Sequence, residues 1–534
     1  MPFNLAVPVL QENAQTAVEL RPKQVQEWLD ALPLANAGDA ARRICDALAS
    51  LNRTRVPDEA RLKLLEQYRA SIAHLMPALE QQYTAAALPL PEKNRALAMV
   101  ARQLHVELAY GYKILLLDHA NRKLTLAQPK YLPIVVQRAL HALAAILTTC
   151  YQSYAPTPAG AWAELHQLYR YAVEHHWQDD EIQYGDAKTS INATYKETLL
   201  LALADPYHLL QGQVKMVQEY LQRFAGQASL MPLMQTAEQP VGFFLVRLET
   251  DKPPKAVAQN LTATDPRTDI LLNTIELART LHYQLQKLEA GSEPAKLGLP
   301  PTARQLPYQE MMRGLIQHWG IAPKRLFNRV RKASALEIIV GVRAIHHFLD
   351  PTLGARQTEV HDAEITLRLA SSAIDTSSQQ SFTSTSWLVL NESAGGMAIS
   401  KEPQADVQVR VGEVLGVRGD RSADWNLVLV RWVHSKDPAH LELGAQMLSP
   451  KASAVVLYPT LGAESNAAIP ALLLPAIPSL HRPAMLTVSR GTYAPQREFR
   501  LKRPEGEIRI RAGELANHTQ SVEVFSFNES SIPQ

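Results

Sequence analysis

Two periodicities divide this chain. From about residue 20 to 235, apolar residues recur every three to four positions, the spacing of helices with one buried face. Val25, Trp28, Leu29 and Leu32 follow Pro22, which suits a first helical turn. Leu65, Tyr68, Ile72 and Leu75 repeat the rhythm, as do Leu97, Val100, Leu104 and Leu108 on the way to Leu115. Val214, Val217, Leu221 and Phe224 form another stripe, and Gly226 is placed to stop it. Proline clusters near 89–91, 156–158 and 206 punctuate the run. No repeat is strict enough for a named solenoid, so an irregular bundle and a loose helical array both remain open.

Past residue 240 the pattern shifts toward strands. Residues 241–249 predict a first strand, ended by Pro253-Pro254. A helix is predicted over 269–288, through Leu271, Ile275, Ala278, Leu281 and Leu285, and a shorter one over 308–319. Residues 236–322 thus read as a connector of one strand plus helices. Strands are then predicted at 336–343, 387–390, 396–400, 407–417, 426–433 and 441–448. Between them, 350–357 is a turn-rich break and 365–374 is strand or short helix. Residues 371–386, rich in Ser, Thr and Gln, have the composition of an insertion. Beyond 450, strands are expected at 454–458, 484–489, 497–501, 507–511 and 521–527.

The expected fold is multidomain α + β. An all-α domain covers 1–235 and the connector 236–322. A small antiparallel β-barrel covers 323–450 with an insertion at 350–386. Residues 451–534 make a second β domain or an extension of the barrel. Short strands joined by Gly and Asp turns suit a closed barrel, which leaves no sheet edge exposed.

Composition narrows the function. With 534 residues, 46% hydrophobic and 20% charged, the chain is typical of globular proteins. A net charge of +2 makes no global field for nucleic acid or an anionic membrane, so any anion site must be local. Cys45 and Cys150 are far apart and suggest neither a disulfide framework nor a zinc knuckle. The N-terminus lacks a basic region, and no uninterrupted apolar run reaches membrane-spanning length; residues 469–477 are broken by Pro470 and Pro475. A cytoplasmic protein without membrane insertion is expected.

Glu164, His166, His175, His176, Asp179 and Asp180 lack metal-ligand spacing, and adjacent histidines on a helix diverge. No metal site is expected. Tyr68, Tyr110, Tyr112, Tyr151, Tyr154, Tyr169 and Tyr171 read as helix-packing aromatics. Arg497, Arg500, Lys502, Arg503, Arg509 and Arg511 form a basic run. Alternation sets Arg509 and Arg511 opposite Ile508 and Ile510, a solvated strand face rather than a stacking platform for nucleic acid. There is no phosphate loop, nucleophile elbow or recognisable carboxylate pair, so no enzyme is expected.

One constellation remains. Arg325 and Arg329 stand four apart, and Asn391, Ser393 and Gly396 follow in a predicted turn. Guanidinium forks match phosphate oxygens and the Hoogsteen edge of guanine. Amide and hydroxyl groups pair with a base edge, and glycine lets backbone come close. The set suits an anionic, guanine-containing small molecule. The plainer alternative is two linker arginines and an ordinary Asx turn.

Arg-x-x-x-Arg followed by Asn-x-Ser-x-x-Gly resembles the two-part signature of the PilZ domain, the bacterial receptor module for cyclic di-GMP. Asn391 stands where the signature allows Asp or Asn. The downstream run Gly-Glu-Val-Leu-Gly, Val-Arg-Trp and Leu-Gly-Ala-Gln-Met-Leu is similar to PilZ barrels, and the likeness covers about a quarter of the chain. The resemblance implies that Arg325 and Arg329, on a lead-in segment, clamp phosphates and guanine edges. Asn391 and Ser393 would hold a guanine, and Gly396 would let the turn approach it. Lys324 and Arg331 add charge nearby. It further implies a receptor that changes its interdomain arrangement on binding cyclic di-GMP. Such a receptor signals to a protein partner through its helical half, with motility, adhesion or biofilm formation as outputs. No cofactor is implied. The alternative is a PilZ-fold docking module that binds no nucleotide.

Overall fold

The computed structural model describes residues 4–10, 19–33, 35–122, 129–233, 241–257, 265, 267–320, 330–331, 334–350, 382–419, 424–461, 467–478 and 481–529. The chain forms two compact units, Met1–Ala86 with Leu90–Lys324, and Ala87–Pro89 with Arg325–Gln534.

The first unit is helical over most of its length. Its helices are α1 (Pro22–Asp30), α2 (Ala37–Arg53), α3 (Asp58–Thr84), α4 (Glu92–Ala120), α5 (Leu132–Gln152) and α6 (Ala161–Glu174). A hairpin of β1 (Ile182–Tyr184) and β2 (Ala187–Thr189) precedes α7 (Ile191–Leu203) and α8 (Gln213–Phe224). Helices α4 and α5 pack on each other; α2 and α3 pack on α4, and α6, α7 and α8 on α5. The predicted stripes supply this core: Leu65, Tyr68, Ile72, Leu75, Leu104, Leu108, Val217 and Leu221 are all buried.

The stripe logic missed α5, which is apolar nearly all round and buried along most of its length. It is long and apolar enough to cross a membrane by composition, yet Arg138 and Gln137 within it are buried in this unit. His175 and His176 lie past the end of α6, not on a helix.

The connector holds three strands rather than one. A four-stranded sheet runs in the order β3 (Ser229–Pro232), β6 (Asp269–Asn273), β4 (Phe243–Arg247), β5 (Lys255–Ala256). The helix expected from 269 begins only with α9 (Ile275–Glu289). Residues 269–273 pair with strands on both sides, and that ladder overrides the helical spacing of Leu271 and Ile275. Helix α10 (Leu306–Gly320) follows, with Trp319 fully buried.

The second unit contains two barrels. The first is built from β8 (Ala335–Val340), β9 (Thr385–Ser393), β10 (Gly396–Lys401), β11 (Val414–Gly419), β12 (Asn426–Asp437) and β13 (His440–Ser449). Pairing in the order β10-β13-β12-β11-β8-β9 returns to β10, so the ring closes. A short strand, β7 (Val330–Arg331), adds to β9 from outside the ring. On β12, Trp432 lies opposite Gly444 of β13, where a Cβ would collide with the indole. The expected strand at 407–417 is ordered as β11 only from Val414. The readings at 350–357, 365–374 and 371–386 fall wholly or mostly outside the described residues.

The expected strand at 336–343 stops at Val340. Gly341 takes a positive φ of 90°, and α11 (Val342–Leu349) begins. This unforeseen helix supplies Val342, Ala344 and Ile345 to one core that joins Ile339, Leu427 and Leu429 of the first barrel to Leu472, Leu474 and Val524 of the second. His346 bonds through Nε2 to the Val455 carbonyl at 3.1 Å.

Residues beyond 450 are a second closed barrel, not an extension of the first. Its order is β14 (Ser453–Pro459), β15 (Ile469–Leu474), β16 (Met485–Ser489), β19 (Val522–Glu529), β18 (Gly506–His518), β17 (Glu498–Arg503). Val455, Leu457, Leu486, Phe499, Leu501 and Phe525 fill it. Strand β15 went unpredicted because of its prolines. Pro470 sits at its second residue and Pro475 just past its end, where a missing N–H costs least.

Candidate functional site

The two halves of the motif meet across β7 and β9. Val330 lies opposite Glu392 and Arg331 opposite Asn391. Arg325 and Arg329 are outside the described residues, but Val330 directly follows Arg329 in the chain. Asn391 is therefore flanked by Arg331 on one side and by Ala398 of β10 on the other.

The polar bend differs from its expected form. Asn391 and Ser393 belong to β9, Gly396 opens β10, and Ala394 and Gly395 make the turn. Within the β9–β10 ladder, Asn391 faces Ala398 and Val389 faces Ile399, which leaves Leu390 without an opposite residue. This bulge lies directly before Asn391, and bulges redirect the side chains beside them. The strand alternates on the way in: Trp387 and Val389 are buried, while Leu388 and Leu390 are exposed. Asn391, Glu392 and Ser393 are half-buried; Val330 and Arg331 are exposed.

Two of the five residues have work inside the fold. Ser393 Oγ donates to the Gly396 carbonyl at 3.1 Å, tying the ends of the turn together. Gly396 adopts φ 155°, and a Cβ there would run into the Ala445 carbonyl and lie 3.0 Å from Gln446 Cα. Its lack of a side chain is thus a requirement of β10 packing on β13, besides any ligand. Met447 N–H donates to the Gly395 carbonyl at 3.0 Å and holds the turn against the same strand.

Arg331 was seen in the sequence only as extra charge. Its pairing with Asn391 depends on β7 adding to β9, which a two-residue strand does not announce.

The residues that resembled metal ligands are spoken for. Glu164 pairs with Lys113 at 2.8 Å, and His166 bonds Tyr195 Oη at 2.6 Å and the Lys252 carbonyl at 2.9 Å. Among the described residues no group of three or more His, Cys, Asp or Glu is arranged to hold a metal.

Comparison with known proteins places these parts in a series. Residues 23–235 match the family model described as the N-terminal domain of the cyclic-di-GMP receptor FimW. Residues 243–363 and 352–454 match its middle PilZ domain, and 456–530 its C-terminal beta-barrel domain. The chain is 26% identical over 542 aligned residues to the cyclic-di-GMP receptor FimW of Pseudomonas aeruginosa, covering 91% of this chain and 87% of that one. No solved structure matches.

Proposed function

We propose that this chain, which belongs to the PilZ-domain cyclic di-GMP receptor family, binds cyclic di-GMP where β7 meets β9. Arg325 and Arg329 grip phosphates and guanine Hoogsteen edges from the segment leading into β7. Asn391 and Ser393 meet a guanine from β9, and Gly396 keeps the turn low beneath it. The single observation behind this is the β7–β9 register, which sets the residue after Arg329 beside Glu392. Hydrogen bonds to charged groups contribute roughly 1.5–3 kcal/mol each.

Binding at the joint between the lead-in segment and the barrel gives a route for a signal. Engaged arginines favour one arrangement of that segment, and a ligand shifts a population by its differential affinity for two states. We take the output to be a protein partner met through the helical unit, in control of motility, adhesion or biofilm formation. The protein on this view is a cytoplasmic receptor without catalytic chemistry or a cofactor.

Isothermal titration of the full chain with cyclic di-GMP is the test. Micromolar or tighter binding is expected, weakened about ten- to a hundredfold by Arg325→Ala or Arg329→Ala. No binding by the intact chain would favour a docking module instead. That alternative draws on Val330, Leu388 and Leu390, which are 68%, 47% and 37% exposed beside the motif.

A further inference from the structure

The helical unit encloses a cavity of about 250 Å³ between α3, α4, α5, α7 and α8. Its polar wall divides into satisfied and unsatisfied groups. On one side Arg69 and Arg138 both bond the Glu66 carboxylate, and their guanidiniums lie 4.8 and 4.9 Å from the Tyr184 ring centre. Tyr184 in turn shares a 3.1 Å hydrogen bond with His141 Nδ1. On the other side stand His105 of α4 and Glu197 of α7. His105 is 9% exposed and its ring makes no hydrogen bond among the described residues, although it lines the cavity. Glu197 likewise has no hydrogen bond or ion pair there, and burial raises its carboxyl to about 7. Burial lowers His105 to about 4, so the ring is neutral near pH 7 and offers one donor and one acceptor.

A buried imidazole and a buried carboxyl left unpaired are costly, and a ligand that satisfies both recovers that cost. We propose that this cavity is a second small-molecule site, for a single-ring primary amine whose ammonium pairs with Glu197 while its ring body lies along Met76, Leu108 and Leu221 beside His105. Volume sets the size: a cavity of about 150 Å³ holds benzene, and drug-sized pockets begin near 300 Å³. Charge sets the sign. The two guanidiniums are already committed to Glu66, and Glu80 and Glu197 repel an anion.

Thermal-shift and calorimetric titration of the full chain with 2-phenylethylamine tests this, with 2-phenylethanol as the neutral control. The amine should raise Tm with concentration, as mass action requires of a ligand for the folded state. Glu197→Gln, which keeps the shape and relieves a buried charge, should weaken binding about tenfold or more. His105→Phe should weaken it as well, and Arg325→Ala should leave it unchanged. The proposal is overturned if the amine gives no shift, as for a cavity that holds water alone. Equal binding of the alcohol, or unchanged affinity in Glu197→Gln, overturns it too.

Discussion

Arg331 stands directly opposite Asn391, although 391 − 331 = 60 residues separate them in the chain. The pairing brings the carboxyl-terminal end of the arginine segment onto the strand that carries the amide and hydroxyl. Both sit on backbone held by a ladder, and a rigid platform keeps the ordering cost of binding low.

Asn391→Ala should separate recognition from folding. Asn391 is half-buried in β9. Its loss should weaken cyclic di-GMP binding about tenfold by titration, with Tm nearly unchanged. A large fall in Tm would mean that the amide serves the barrel instead.

Gly396→Ala should act through the fold. With Ala445 and Gln446 of β13 in the way, the barrel must shift or open. A loss on the order of 2–4 kcal/mol is expected in urea unfolding, with ligand or without it. Full stability with weakened binding would show that the residue matters only to the ligand.

Trp432 and Gly444 should behave as one unit. The indole covers the glycine across β12 and β13. Gly444→Ala alone should destabilise, but much less in a Trp432→Ala background. A double-mutant cycle should return a coupling of about 1 kcal/mol or more; additive effects would mean the indole moves aside freely.

Acid should loosen the helical unit well above the carboxylate range. Burial pushes His105 and His166 down to about 4 and His141 to about 3. Unfolded imidazoles titrate near 6.5, so between about pH 6.5 and 4 the unfolded chain binds more protons, and falling pH favours it. Glu197, raised to about 7, works in the opposite sense between pH 7 and 4.5 and offsets part of this. Helix melting followed by circular dichroism should show lower Tm at pH 5 than at pH 7. His105→Phe should flatten the slope, and Glu197→Gln should steepen it.

Much was legible because it is local. Leu65, Tyr68, Ile72 and Leu75 announce a buried helix face through spacing alone. Strands β12 and β13 were visible for the same reason, as alternating apolar runs between turns. Helix α5 escaped because a helix buried on all sides has no stripe, and β15 because Pro470 hides a strand that only its neighbours sustain. In β6, pairing with β3 and β4 outweighed a helical pattern that was real but weaker.

The amino-acid order by itself determined the class of each segment and the residue types for an anionic ligand, since periodicity and side-chain chemistry are properties of neighbours. Only the tertiary structure decided that Arg331 would face Asn391, that α11 would share a core with both barrels, and that Gly396 answers first to Ala445. Those depend on register between strands distant in the chain, which backbone hydrogen bonds and packing settle together and no local pattern encodes.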